Sequence, residues 1–130
     1  MVFEDDRKCF ACGPENNRGL KLVFSYAEDY AESRFTPPAD LQGYKDVTHG
    51  GIVSTLLDEV MVHAAIRDGV MPATAEITVR FKKPMITGQA VIIEGKVTKR
   101  NSRLIETHGI IKKESDGTII AEATAKLIKQ

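Results

Sequence analysis

Thr48-His49-Gly50-Gly51-Ile52-Val53-Ser54-Thr55-Leu56-Leu57-Asp58-Glu59-Val60-Met61-Val62-His63-Ala64-Ala65 is the stretch that organises this chain. Paired glycines at the start of an apolar run admit close approach of a ligand or another backbone. They also leave helix-start N–H groups free to donate. The helix dipole puts partial positive charge at the same end, which suits a developing oxyanion. About two turns later comes Asp58, on a run otherwise rich in Ile, Val, Leu and Ala. Donors paired with a carboxylate point to chemistry on acyl carbonyls.

The spacing predicts one helix from Gly50 to Arg67, stopped by Asp68-Gly69. Val53, Leu56, Leu57, Val60 and Ala64 fall on one side of it. Asp58 lies nearly opposite, on a narrow face with Gly51, Ser54, Thr55 and Val62. An acid among small residues suggests a face that meets a ligand or a second subunit. Glu59 points about 100° away from Asp58 and is expected to pair with His63 at i+4 instead.

Working outward, Leu20, Leu22, Phe24 and Tyr26 alternate with polar residues and read as a half-buried strand beginning at Gly19. A second strand is expected from Tyr30 to Thr36, before Pro37-Pro38. After the helix, Ala75, Ile77, Val79 and Phe81 alternate up to Pro84. Val91, Ile93 and Val97 mark the next strand, followed by a turn at Lys99-Arg100-Asn101-Ser102. Leu104 to Lys113 is another, Asp116-Gly117 a hairpin signal, and Ile119 to Leu127 the last. Residues 1–18 are an irregular lead-in. The order β-β-α-β-β-β-β implies sequential hairpins in an antiparallel sheet with one helix on one face, an α+β arrangement in a single domain spanning 1–130. Its unsatisfied edges favour a symmetric oligomer.

Of the 130 residues, 42% are hydrophobic and 28% charged, and Lys+Arg and Asp+Glu are both 18. That balance excludes disorder and a general nucleic-acid binder, which needs a basic excess. No apolar run approaches a membrane span or a signal peptide, so a cytoplasmic location with no membrane partner is expected. The two cysteines form Cys9-Phe-Ala-Cys12-Gly13. They are expected as a reduced structural pair in a turn. A zinc site would need further ligands, which His49, His63 and His108 can supply although nothing groups them in sequence. Redox activity is the other alternative. No metal-binding residue is expected, and His108 is expected to be structural.

Taken together, the order of elements resembles the hotdog fold, a long antiparallel β-sheet wrapped around one central α-helix. More closely, the chain resembles the phenylacetic-acid-degradation type of acyl-CoA thioesterase over nearly its whole length. The carrying motifs are Cys9-Phe-Ala-Cys-Gly13, Asn16-Asn-Arg-Gly-Leu20, the His49-Gly-Gly with its acid nine positions on, Thr74-Ala-Glu-Ile-Thr-Val-Arg-Phe-Lys-Lys-Pro84 and Asp116-Gly-Thr-Ile-Ile-Ala-Glu-Ala-Thr-Ala125. The resemblance implies hydrolysis of an acyl-CoA to free acid and coenzyme A, with no cofactor because coenzyme A is part of the substrate.

By the same resemblance, Asp58 is the general base or nucleophile and the Gly50 N–H polarises the thioester carbonyl, with Gly51 beside it. His49 positions the thioester and Thr74 helps to hold the attacking water. The acid and the glycine donor come from different subunits of a homodimer or dimer of dimers. One departure stands out: relatives carry an amide side chain six or seven residues before the histidine, and here position 43 is glycine, leaving Gln42 to serve. Thr55 lies on the substrate-facing side. Lys99, Arg100 and Arg103 are candidates for the coenzyme A phosphates, with Lys82 and Lys83 a second option.

An Asp in an apolar setting is expected to have a raised pKa. No Gly-x-Ser-x-Gly nucleophile motif competes with it. The alternatives to hydrolysis are a non-catalytic acyl-CoA binding protein on the same fold and, less favoured, a dehydratase or hydratase, whose His-Phe-Pro-Gly context is absent.

Overall fold

The computed structural model describes residues 3–130; positions 1–2 of the lead-in lie outside the described residues. Its elements are β1 (Ser25–Ala27), β2 (Tyr30–Phe35), a 3-10 turn (Ala39–Leu41), α1 (Gly50–Ala65), β3 (Ala73–Phe81), β4 (Val91–Arg100), β5 (Leu104–Lys113) and β6 (Ile119–Ile128). All six strands form one antiparallel sheet in the order β1-β2-β4-β5-β6-β3, with α1 packed across one face. This is the hotdog arrangement. The expected α+β class and the single long helix are both present.

The core forms where the apolar side of α1 meets alternate residues of the long strands. Val53, Leu56, Leu57, Val60 and Met61 are buried against Val91, Ile93, Ile105, Ile111, Ala121 and Leu127. Burying side chains of this size contributes about 1.5–3 kcal/mol each before the entropy of ordering is subtracted. Gly95 of β4 and Gly109 of β5 are register partners beneath the helix. A Cβ on Gly95 would lie 2.5 Å from the Val60 carbonyl oxygen, so only glycine admits α1 at this height.

The strand order departs from sequential hairpins. β3 does not pair with β4; it crosses to the far edge beside β6, and β4 joins β2. The crossover segment explains this. Lys82 and Lys83 donate their N–H groups to the Ile120 carbonyl, while Thr48 N–H donates to Met85 O and Gly88 N–H to Pro37 O. Pro84 cannot extend a ladder, and these bonds pin the segment under the start of α1 instead.

Three boundaries also move. The expected first strand contracts to Ser25–Ala27, because Leu20 and Leu22 donate to Phe10 O and Ala11 O and Lys21 adopts a positive φ of 54°. Its alternation still works, since Leu22 is buried and Phe24 half-buried. The helix ends at Ala65 rather than Arg67, because Asp68 and Gly69 both take positive φ in a tight turn closed between Arg67 and Val70. Finally, Lys99 and Arg100 belong to β4, after an irregularity between Val97 and Lys99.

Candidate active site

The start of α1 is built by His49. Its Nδ1 accepts the Gly51 N–H at 2.8 Å, capping the helix, while its carbonyl accepts from Ile52 and Val53. An accepting Nδ1 fixes the neutral tautomer with the proton on Nε2. Gly51 therefore has its N–H committed to His49, and Gly50 carries the free donor: its N–H bonds to no group among the described residues. Both glycines are exposed. The Phe81 ring closes on Gly50, with a Cβ there falling 3.5 Å from its Cε1.

Beside this helix start lies a cavity of about 620 Å³, lined by Tyr44, His49, Gly50, Phe81, Lys82 and Lys83 among others. Lys82 is paired to Glu122 at 3.1 Å. Lys83 makes no ion pair among the described residues. Gln42 does not reach this cavity: its side-chain oxygen accepts the Asp46 N–H at 3.1 Å, closing the loop. Gly43 packs directly on His49, whose Cδ2 is 3.4 Å from a Cβ built at 43.

Two turns along α1, Asp58 accepts a 2.7 Å hydrogen bond from the Thr74 hydroxyl. Thr74 stands at the start of β3, next to an irregularity before Glu76 that aims its side chain at the helix. Burial pushes the Asp58 pKa up; the Thr74 bond works against that and Glu59 adds to it, and the net direction is upward. Thr55 and Ser54 spend their hydroxyls on the Gly51 and Gly50 carbonyls, leaving a face of small side chains between Gly50 and Asp58. At about 1.5 Å per residue, Gly50 and Asp58 stand roughly 12 Å apart along the axis. One acyl carbonyl cannot touch both within a single chain.

The basic residues separate into two groups. Register carries Phe81 through Ala121 and Ile111 to Ile93, and Ala73 through Ile128 to Leu104. Lys82 and Lys83 thus sit at one end of the sheet and the Asn101–Arg103 turn at the other. Arg100 is turned inward, donating to Asp29 Oδ1 at 2.8 Å with only 15% of its side chain exposed. That geometry removes it from solvent, while Lys99 and Arg103 remain exposed.

On the other side of α1, Glu59 and His63 face each other at 3.4 Å, as the i+4 spacing predicts. Cys9 and Cys12, both free thiols, lie against Glu59. The sequence supplied each member of this group, but not the fold of the lead-in that joins them. His108 approaches Glu122 at 3.8 Å, away from the helix. No helix among the described residues is long and apolar enough to cross a membrane.

Comparison with known proteins shows what the chain and its fold are similar to. The acyl-coenzyme A thioesterase THEM4 of Xenopus laevis is 36% identical over 110 residues, covering 83% of this chain and 49% of that protein. The chain spans about half the length of the curated relatives it matches. A crystal structure of a thioesterase superfamily protein superposes with a TM-score of 0.85 at 26% identity, covering 93% of this chain and 63% of the other. The PaaI protein of the E. coli phenylacetic acid degradation operon shares the fold, with a TM-score of 0.78 at 19% identity and coverage of 85% and 84%. The family model described as the thioesterase superfamily matches residues 46–120, from the loop before His49 to the start of β6. With more than half of its length inside that match, the chain belongs to the thioesterase superfamily.

Proposed function

We propose that this chain hydrolyses an acyl-CoA thioester to the free acid and coenzyme A, as a homodimer, alone or as half of a dimer of dimers, whose sites are shared between subunits. The observation that carries the reading is Asp58. A carboxylate fixed by the Thr74 hydroxyl at 2.7 Å stands on the small-residue face of a helix whose far end offers the unpaired Gly50 N–H. The 36% identity to an acyl-coenzyme A thioesterase supports the same substrate class. The motif register and the shared fold of PaaI favour the phenylacetic-acid-degradation type.

The roughly 12 Å between donor and acid calls for a second copy. β3 is one edge of the sheet, and Phe81, 59% exposed, is the large apolar side chain beside Gly50. Pairing two β3 edges antiparallel covers both rings and sets Asp58 of one chain against Gly50 of the partner subunit.

In this arrangement Asp58 takes a proton from water as the water oxygen adds to the thioester carbon. The alternative within the same site is direct attack by the carboxylate, followed by hydrolysis of the anhydride. In either course the oxyanion is held by the Gly50 N–H, a class of contact worth on the order of 3 kcal/mol. The C–S bond then breaks and the thiolate leaves, taking up a proton. The His49 Nε2–H is placed to position the thioester. Thr55 and Gly51 bound the acyl side, and the coenzyme A phosphates fall to Lys83 and Lys82 at the cavity or to Lys99 and Arg103 at the opposite end.

Thiol release measured over a panel of acyl-CoAs tests the reading. Asp58→Asn is expected to lose about 10²-fold or more in kcat with its fold intact. Full turnover by the variant overturns the role of Asp58. No turnover by the wild type on any substrate, with acyl-CoA still bound, replaces the enzyme with a binding module on the same fold.

A further inference from the structure

The lead-in folds back on the middle of α1, against Glu59, about 100° round the helix from Asp58. The Gly13 N–H donates to Cys9 O at 2.8 Å, and a Cβ at position 13 would strike Cys9 N at 2.3 Å. Only glycine therefore closes this turn, which presents both thiols on one side. The Cys9 and Cys12 Sγ atoms and a Glu59 carboxylate oxygen all lie within 4.8 Å of one another, and Cys9 Sγ is 3.9 Å from Glu59 Oε1. Ligand atoms around a tetrahedral zinc ion stand ~3.6 Å apart, so small side-chain adjustments complete the geometry.

A second observation points the same way. His63 is 8% exposed, and its Nε2 has no hydrogen-bond partner among the described residues, nor does Glu59 Oε2. The two atoms face each other at 3.4 Å. The ring is held from behind: its Nδ1 meets the Tyr26 hydroxyl at 2.8 Å and Phe24 stacks on it at 4.0 Å between centroids. Ligating carboxylates are themselves hydrogen-bonded from outside, and a fixed imidazole directed at Glu59 can supply that bond.

We propose that Cys9, Cys12 and Glu59 bind a zinc ion, with His63, oriented by Tyr26, holding the second oxygen of Glu59. The fourth position opens toward a cavity of about 700 Å³ between the lead-in and α1. The ion cross-links the lead-in to the helix one residue from Asp58. This inference is independent of the thioesterase reading.

The test uses the full chain, purified under reducing conditions without added chelator. Elemental analysis is expected to give one zinc per chain. Cobalt substitution is expected to give thiolate-to-metal charge-transfer absorption. Cys12→Ser is expected to abolish that absorption and Glu59→Gln to weaken metal affinity at least tenfold, each with unchanged far-UV circular dichroism. Zinc is also expected to protect both thiols from a thiol-reactive dye, a readout that needs no variant. A reduced, folded chain that takes up no zinc overturns the proposal. So does uptake unchanged in Cys12→Ser, or a Cys9–Cys12 disulfide in place of metal.

Discussion

Gly95→Ala probes how α1 is seated on the sheet. The added methyl would stand 2.5 Å from the Val60 carbonyl oxygen and 3.2 Å from the Met61 nitrogen. Ordinary contact begins near 3.4 Å, so the helix must lift from β4 by about 0.9 Å, and no rotamer change removes a backbone obstacle. Overpacking of this kind is expected to cost about 3 kcal/mol, the upper end of its usual range. Gly109→Ala gives the comparison. There the methyl meets Met61 Cγ at 3.1 Å, on a flexible side chain that can swing aside, and the expected cost is about 1 kcal/mol. Urea unfolding of both variants, with matched m-values, measures the difference. Because Asp58 lies two residues before Val60, lifting the helix also separates Asp58 from Thr74. Folded Gly95→Ala should lose roughly 10²-fold in turnover, against a few-fold for Gly109→Ala. Equal destabilisation by the two substitutions would refute the idea that the Val60 backbone sets the height of the helix.

Thr74→Val removes the hydroxyl bonded to Asp58 while keeping the shape of the side chain; a bond to a charged group is worth about 1.5–3 kcal/mol of stability, so urea unfolding should show a loss of that order, and kcat is expected to fall on the order of tenfold as Asp58 loses its fixed position. Phe81→Glu places a charge on the proposed pairing edge, and light scattering should show monomers that keep their circular dichroism but not their turnover. Asp29→Asn deprives Arg100 and Arg67 of a shared partner and is expected to cost about 1–2 kcal/mol at neutral pH, since Asp29 is itself a third exposed. Burial acts to raise the Asp29 pKa, but the Arg100 and Arg67 contacts outweigh it and hold the carboxyl below its ordinary 3.8. The contribution of Asp29 is therefore complete above that value and disappears as pH falls through the lower, folded value; urea titrations at successive pH should show the gap between wild type and variant closing only in that acid range.

Much of the fold was legible because it rests on local signals. His49-Gly50-Gly51 and the apolar period of residues 53–64 locate the helix, and period-two runs locate β3 to β6. The strand order was not legible, because hairpin logic assigns each strand to its neighbour in sequence. What separates β3 from β4 is a set of hydrogen bonds from the crossover segment to the Ile120 carbonyl and to the loops around Pro37 and Thr48. Alternation at Leu20–Tyr26 overstated β1, since Leu22 buries itself against the lead-in without joining a ladder. At the site, the resemblance singles out Asp58 and Thr74 separately, but that the Thr74 hydroxyl donates to Asp58 depends on where β3 lies beside the helix. The inward turn of Arg100 follows from an irregularity in β4, and the engagement of Gln42 with Asp46 from loop closure. The meeting of Cys9 with Glu59 depends on how the lead-in folds across a helix some fifty residues away, which no periodicity records.

The far-edge position of β3 also governs when the site can exist. Thr74 lies opposite Leu127, so the strand that anchors Asp58 has no partner until β6 has been made and docked. On the ribosome, the helix and the β4–β5 hairpin can form early, but β3 must wait for β6 to emerge. Assembly is therefore dominated by a late, long-range closure of the slow kind. A nascent chain halted before Ala121 would hold Asp58 without Thr74. The Asp58–Thr74 pair arrives only once β6 is in place.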